Sequence, residues 1–221
     1  MWPRTNWSEA ASPDDPSTPH DPVGNPVGIG FEPISTKRVI QTSPALRSSS
    51  VRILGIDPGL RITGYGAIDA NGSSLRVVEA GVIRVPPDLP LATRLHRLHL
   101  DLMTVLEDLK PDLMSVEALF SHPERAATGV RMGHARGVIL LAAAQHAVEI
   151  VEHPPAQVKK ALTGDGSADK TRMQAAITSR CGLDAIPEPP DVADALAIAL
   201  CAAQRLDAIV IPAEPSPAAR R

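Results

Sequence analysis

The stretch VRILGIDPGLRITGYGAIDANGSSLRVVEAGVIRV, residues 51–85, decides the fold. Val51-Arg52-Ile53-Leu54-Gly55-Ile56-Asp57 is a short apolar strand that ends on a carboxylate, and Pro58-Gly59 follows it as a turn. Thr63 to Ala70 reads as a second strand, Asn71-Gly72 as a hairpin turn, and Leu75 to Val85 as a third strand. Toward the C-terminus, Leu91, Leu95, Leu98, Leu102, Leu106 and Leu109 repeat at helical spacing until Pro111, which predicts an amphipathic helix on a core. Asp112 to Glu117 (DLMSVE) is another apolar strand closing on a carboxylate. A long helix is predicted over 124–147, apolar all round from Val138 to Ala144, then a short strand over 148–151 and a short helix over 156–162. Gly164-Asp165-Gly166 is a loop, Ser167 the expected N-cap, and 168–181 a helix. After Pro189-Pro190 a nearly all-apolar, hence buried, helix runs from Asp191 to about Arg205. Three hairpin strands followed by alternating helix and strand describe an α/β domain with a mixed sheet flanked by helices.

Toward the N-terminus the character changes. Residues 1–50 hold eight of the 22 prolines among scattered Ser, Thr, Asp and Asn, without helix or strand periodicity. Such a segment buries too little apolar surface to offset its ordering entropy, so a disordered extension is expected. The α/β domain is then 51–206, and 207–221 a flexible C-terminal tail. The chain of 221 residues carries 22 Lys+Arg against 25 Asp+Glu, net −3, which excludes nucleic-acid binding by bulk charge and requires a local patch. Two cysteines, Cys181 and Cys201, cannot build a disulfide framework. The longest uncharged apolar runs, 138–144 and 195–203, fall far short of the roughly 20 residues a bilayer span needs. With no signal-peptide pattern at the N-terminus, a soluble cytoplasmic protein with no membrane partner is expected.

The informative residues are acids in apolar surroundings. Asp57 and Glu117 each close a buried strand, and strands of a mixed α/β sheet deliver their last residues to a common edge, where ligand sites lie. Asp191 and Asp194, spaced i, i+3, share one face of a helix's first turn, where the dipole favours the ionised form. Each acid alone fits turn or capping chemistry. Their joint placement does not: if that helix docks on the sheet edge, four carboxylates converge, and the repulsion is costly without cations. Hard oxygen donors in that number suit Mg²⁺, with Mn²⁺ as a substitute, and two such ions in an acidic pocket suit phosphodiester hydrolysis. No Cys/His spacing of zinc type competes.

GIDPGLRITGYG (55–66), SVEALF (115–120), HARG (134–137), QVKKALTGDGSADK (157–170) and PPDVADALAIAL (189–200) resemble the sequence blocks of the RuvC family, bacterial Holliday-junction resolvases, across 51–206 and in the family's order. The resemblance implies an RNase H-like fold with a mixed five-stranded sheet. It further implies a homodimeric, Mg²⁺-dependent endonuclease that nicks two opposed strands of a four-way DNA junction, with RuvA and RuvB as branch-migration partners. The family's catalytic acids fall on Asp57, Glu117, Asp191 and Asp194. Lys159 and Lys170 match positions near the scissile phosphate.

With Arg61 beside Asp57, and with Arg125 and Arg136, these lysines make the expected phosphate-contacting rim. Lys160 and Arg131 read as ordinary solvated charge. Phe120, in a polar loop just after Glu117, reads as an apolar wedge stacking on an unpaired base, the role the resemblance also implies. The loop after it departs from the family pattern, with His134 where Gln is usual.

Two other functions compete with this reading. An actin- or sugar-kinase-like ATPase shares the core and an Asp-x-Gly turn, but needs a second domain to close over nucleotide. Gly164 to Thr171 (GDGSADKT) approaches a P-loop, but Asp169 stands where its second Gly belongs and would aim a carboxylate at phosphate. A catalytically silent junction-binding module is disfavoured by the intact acid set. Val51-Arg52 also resembles a family start, which leads to the expectation that residues 1–50 are a gene-model artefact.

Overall fold

The computed structural model describes residues 37–41, 50–118 and 126–210, all within one compact unit spanning 33–221. Strands β2 (Val51–Asp57), β3 (Ile62–Asn71) and β4 (Ser74–Arg84) form an antiparallel meander. Helix α1 (Leu91–Leu109) then leads to β5 (Leu113–Glu117), which lies parallel to β2. Helix α2 (Ala126–Gln145) leads to β6 (Glu149–His153), parallel to β5. The chain finishes with α3 (Pro155–Thr163), α4 (Lys170–Cys181) and α5 (Pro190–Val210).

The sheet order is β1-β4-β3-β2-β5-β6, five expected strands plus one that was not. Strand β1 (Lys37–Gln41) pairs antiparallel with the outer edge of β4, with a register shift between Arg38 and Ile40. The extension is therefore not structureless throughout. Lys-Arg-Val-Ile-Gln is too short to show periodicity, and pairing with the β4 edge supplies the hydrogen bonds that order it. Helix α5 also runs past the expected domain end at 206; the rest of the tail and most of 1–50 lie outside the described residues.

Side chains alternate across the sheet and make two cores. One face, with Ile53, Ile68 and Val77, packs against α5 and against Val158, Leu162, Met173 and Ile177 of α3 and α4. The other, with Leu54, Ile56 and Tyr65, packs against the Leu98-Leu102-Leu106 stripe of α1 and Ile139 of α2. Lys110, in the left-handed region at φ 47°, ends α1 by donating its N–H to the Leu106 carbonyl, so the helix stops just before Pro111 as the sequence indicated.

What places α5 is the absence of side chains beneath it. A Cβ added at Gly64 would land on the Asp191 carbonyl oxygen, and one at Gly55 would meet the Ala199 nitrogen at 2.6 Å. Only glycine lets the helix backbone rest on β2 and β3 this closely. From the next strand, the buried Ser115 hydroxyl donates to the Ile198 carbonyl at 3.0 Å, fixing the helix over β5. No helix among the described residues is long and apolar enough to cross a membrane.

Candidate active site

Parallel β2 and β5 end at the same edge of the sheet, and their last residues are Asp57 and Glu117. The turn after Asp57 is locked by Thr63, whose buried hydroxyl donates to the Gly59 carbonyl at 2.6 Å. Arg94 of α1 reaches over to donate to the Leu60 carbonyl at 2.8 Å. The glycine-seated first turn of α5 brings Asp194 to that edge. A cleft of about 300 Å³ results, lined by Asp57, Glu117 and Asp194 with Lys159, Asp169 and Lys170 among its walls.

The electrostatics tie the acids together. Burial, then the charges of Asp194, Glu117 and Asp191, raise the Asp57 pKa to about 7. Burial and the neighbouring Asp194 raise Glu117, against the pull of Lys159. Burial raises Asp194 as well; Lys170 opposes that and Asp191 reinforces it. Asp191 thus acts on Asp57 and Asp194 without lining their cleft.

Among the described residues, no three His, Cys, Asp or Glu side chains are gathered closely enough to hold a metal as they stand. The donor set nevertheless fits a hard divalent cation. Three neighbouring carboxylates whose pKa values are driven up lack positive charge, and the two lysines supply it only at the rim.

The lysines are held by a common clasp. The Thr163 hydroxyl donates to the Lys159 carbonyl at 2.8 Å and accepts from the Asp165 N–H at 3.2 Å, joining the end of α3 to the 164–169 loop. The Asp165 carboxylate accepts from the Ser167 N–H, the Ser167 hydroxyl and Arg172, the last two at 2.7 Å. These bonds hold its pKa down at about 2. Asp169, not Ser167, caps α4, its carboxylate accepting from the Arg172 N–H at 2.8 Å. A hydroxyl and a carboxylate both suit a cap, and here Asp165 claims the serine and leaves the role to Asp169. The same capping carboxylate occupies the place where a P-loop would receive phosphate.

Arg136 is a correction. Expected on the DNA-contacting rim, it is buried at 7% exposure. Its guanidinium donates to the Glu117 carbonyl at 2.7 Å and pairs with Glu152. It braces the end of β5 from behind. Arg61 is exposed, but lines a separate cleft rather than the acidic one. Phe120 and Arg125 lie outside the described residues. Sequence reasoning gave Asp165 and Ser115 no role and took Asp169 only as a departure from the P-loop pattern, since nothing in their spacing sets them apart from loop and strand polar residues. It also passed over His153, which stands in register with Glu117 at the end of β6. The His153 ring is buried, and burial followed by the charge of Arg205 lowers its pKa.

Residues 53–202 match the family model for crossover junction endodeoxyribonuclease RuvC. The chain is 46% identical over 152 residues to the crossover junction endodeoxyribonuclease RuvC of Desulforamulus reducens, covering 69% of this chain and 93% of that one. It is 47% identical over 161 residues to the protein of that name from Rhodopirellula baltica, covering 73% and 90%. Among solved structures, T. thermophilus RuvC in complex with Holliday junction substrate superposes with a TM-score of 0.67 at 31% identity, covering 72% of this chain and 96% of that one. The yeast mitochondrial Holliday junction resolvase Ydc2, at 15% identity and a TM-score of 0.52 over 72% of this chain and 81% of its own, shares the fold. That fold is the RNase H-like one expected, with β1 added at its edge. Sheet, carboxylate edge and sequence agree, and the chain belongs to the RuvC family of crossover junction endodeoxyribonucleases.

Proposed function

We propose that this chain resolves four-way DNA junctions in recombination and repair, nicking two opposed strands symmetrically, with Asp57, Glu117, Asp191 and Asp194 as its catalytic acids. The observation that carries the reading is the Asp57 carboxyl, its pKa raised to about 7 by burial and by three other acids at the sheet edge. That cost serves no structural purpose visible in the surrounding contacts, whereas a bound divalent cation would offset it.

The four carboxylates would hold two Mg²⁺, or Mn²⁺ in their place, which supply the Lewis acidity that lowers a water's pKa and stabilises a leaving 3′ oxygen. Asp57 must be ionised to act as a ligand, so a proton competes for its place below about pH 7. Lys159 and Lys170, both lining the cleft, offer the scissile phosphate positive charge and counter the acids' repulsion of it. The P–O3′ bond breaks, water adds its oxygen to phosphorus, and the products are a 5′-phosphate and a 3′-hydroxyl.

Two identical nicks in a two-fold junction call for two sites related by two-fold symmetry, hence a homodimer. Helix α2 supports this: Ile139, Ala142 and Ala143 pack into the chain's own core, while Val130 (60% exposed) and Leu141 (53%) face outward beside Gly137 and Ala144. Phe120 remains the proposed base-stacking wedge and Arg125 a proposed phosphate contact. RuvA and RuvB are the partners that family resemblance implies, and the cytoplasm the location.

Cleavage in Mg²⁺ of a synthetic four-way junction, a linear duplex and an RNA–DNA hybrid, compared in parallel, tests the proposal. Cutting confined to the junction and lost in Asp57→Asn is the expected result. Equal cutting of duplex, or ATP dependence, would refute it.

A further inference from the structure

Beside the acidic cleft lies a second one, of about 270 Å³, lined by Arg61, Ile62, Arg84, Val85, Pro86 and Pro87. The strand register fixes its geometry. Ile62 stands opposite Arg84 across the β3–β4 ladder, and the Val85 N–H donates to the Arg61 carbonyl at 3.0 Å. Both arginines therefore leave the sheet at the end where β2 delivers Asp57, which pairs with Gly64 of the same β3 strand. Two strand spacings, about 10 Å, separate β4 from β2.

The charge of this cleft is uncompensated. Arg52 and Arg76 are paired with Asp69, Arg172 with Asp165, Arg136 with Glu152, and Arg94 is bonded to a backbone carbonyl. Arg61 and Arg84 are both exposed and, among the described residues, neither guanidinium has a hydrogen-bond or ion-pair partner. Pro86-Pro87 in the lining is rigid and without N–H donors, and the two guanidiniums are the charged groups of the cleft. Paired planar donors fit the oxygens of a phosphodiester.

The geometry points to a DNA-backbone subsite: Arg61 and Arg84 together hold a phosphate of the strand being cut, to one side of the scissile position. This rests on the junction-nuclease reading and adds Arg84 to it. The contact is to the backbone, so it sets the register of the strand in the acidic cleft without reading its sequence. Each arginine neutralising a phosphate contributes to the salt dependence of binding.

The test is a salt titration of junction binding by the full chain, with Asp57→Asn in every protein so that nothing is cut. Adding Arg84→Ala or Arg61→Ala should each flatten the slope of log K against log[salt] by about 0.9, and the pair by about twice that, on junctions of any sequence. Arg84→Lys should keep the slope, because the charge remains. Both side chains are exposed, so thermal stability should not change, and Arg84→Glu should bind more weakly than Arg84→Ala. Unaltered slopes in both alanine variants overturn the subsite, as does a loss that depends on junction sequence. Cleavage by the otherwise wild-type chain, measured alongside, separates the two layers: cutting with unaltered slopes removes the subsite alone. A chain that neither cuts nor binds junctions removes the function and the subsite together.

Discussion

The two ends of β2 handle charge in opposite ways. At its start, Arg52 is buried with its guanidinium on Asp69 at 2.7 and 3.0 Å and on the Leu109 carbonyl at 2.9 Å, while its backbone N–H meets the Asp112 carboxylate at 2.7 Å. Arg76 closes the cluster on the second Asp69 oxygen. Burial would raise the Asp69 pKa, but the bonds from Arg52 and Arg76 overcome it and the net shift is downward. At the other end of the strand Asp57 finds more acids instead of bases, and its pKa rises to about 7. A structural charge cluster is closed within the chain. The acidic one at the other end is not.

Asp57→Asn should break the contrast most. Junction cleavage is expected to fall by at least about 10³-fold, since a group acting on the reacting phosphate is lost. Without divalent ions the same variant should melt higher than wild type at pH 8, because a repelled charge is gone; a lower melting temperature there would mean the acid is structural. Asp69→Ala is the mirror experiment. It strands two cations, one of them buried, and should cost about 3 kcal/mol of stability in denaturant titration. Its cleavage per folded molecule should be unchanged.

Acidity sharpens the comparison. Asp57 titrates higher in the folded chain than in the unfolded one, so its favourable contribution is complete at low pH and disappears as pH rises through about 7. Asp69 titrates lower when folded, so its contribution is present above the ordinary carboxylate range and is lost in acid. Calorimetry in EDTA should therefore find stability falling from pH 5 to 8, and Mg²⁺ should restore it at pH 8 and do little at pH 5. A flat profile in EDTA would contradict the raised carboxyl. Smallest in effect, Lys159→Ala and Lys170→Ala should slow cleavage by about 10²-fold or less while leaving the melting temperature within a degree or so. Loss of folding instead would make the lysines structural.

The carboxylate edge was legible because strand ends are written in one dimension: an apolar run that closes on an acid puts that acid at the edge of a sheet. The α5 acids were legible for a similar reason, standing at the first turn of an apolar helix. Arg136 was misread because a charged residue between Ala135 and Gly137 carries no mark of burial in the sequence; only the packing of α2 behind β5 commits it to Glu117 and Glu152. Arg84 went unnoticed because its meaning lies in a cross-strand register, opposite Ile62, that no local spacing encodes. Strand β1 was missed because proline density around it dominated the reading of a five-residue run.

Helix α5 lies flush on Gly55 and Gly64 and carries two of the four acids, while Asp57 sits on the first strand of the central meander. A chain emerging from the ribosome exposes that strand early and this helix last among the elements described. The acidic cleft is thus incomplete until nearly all of the described chain has been made.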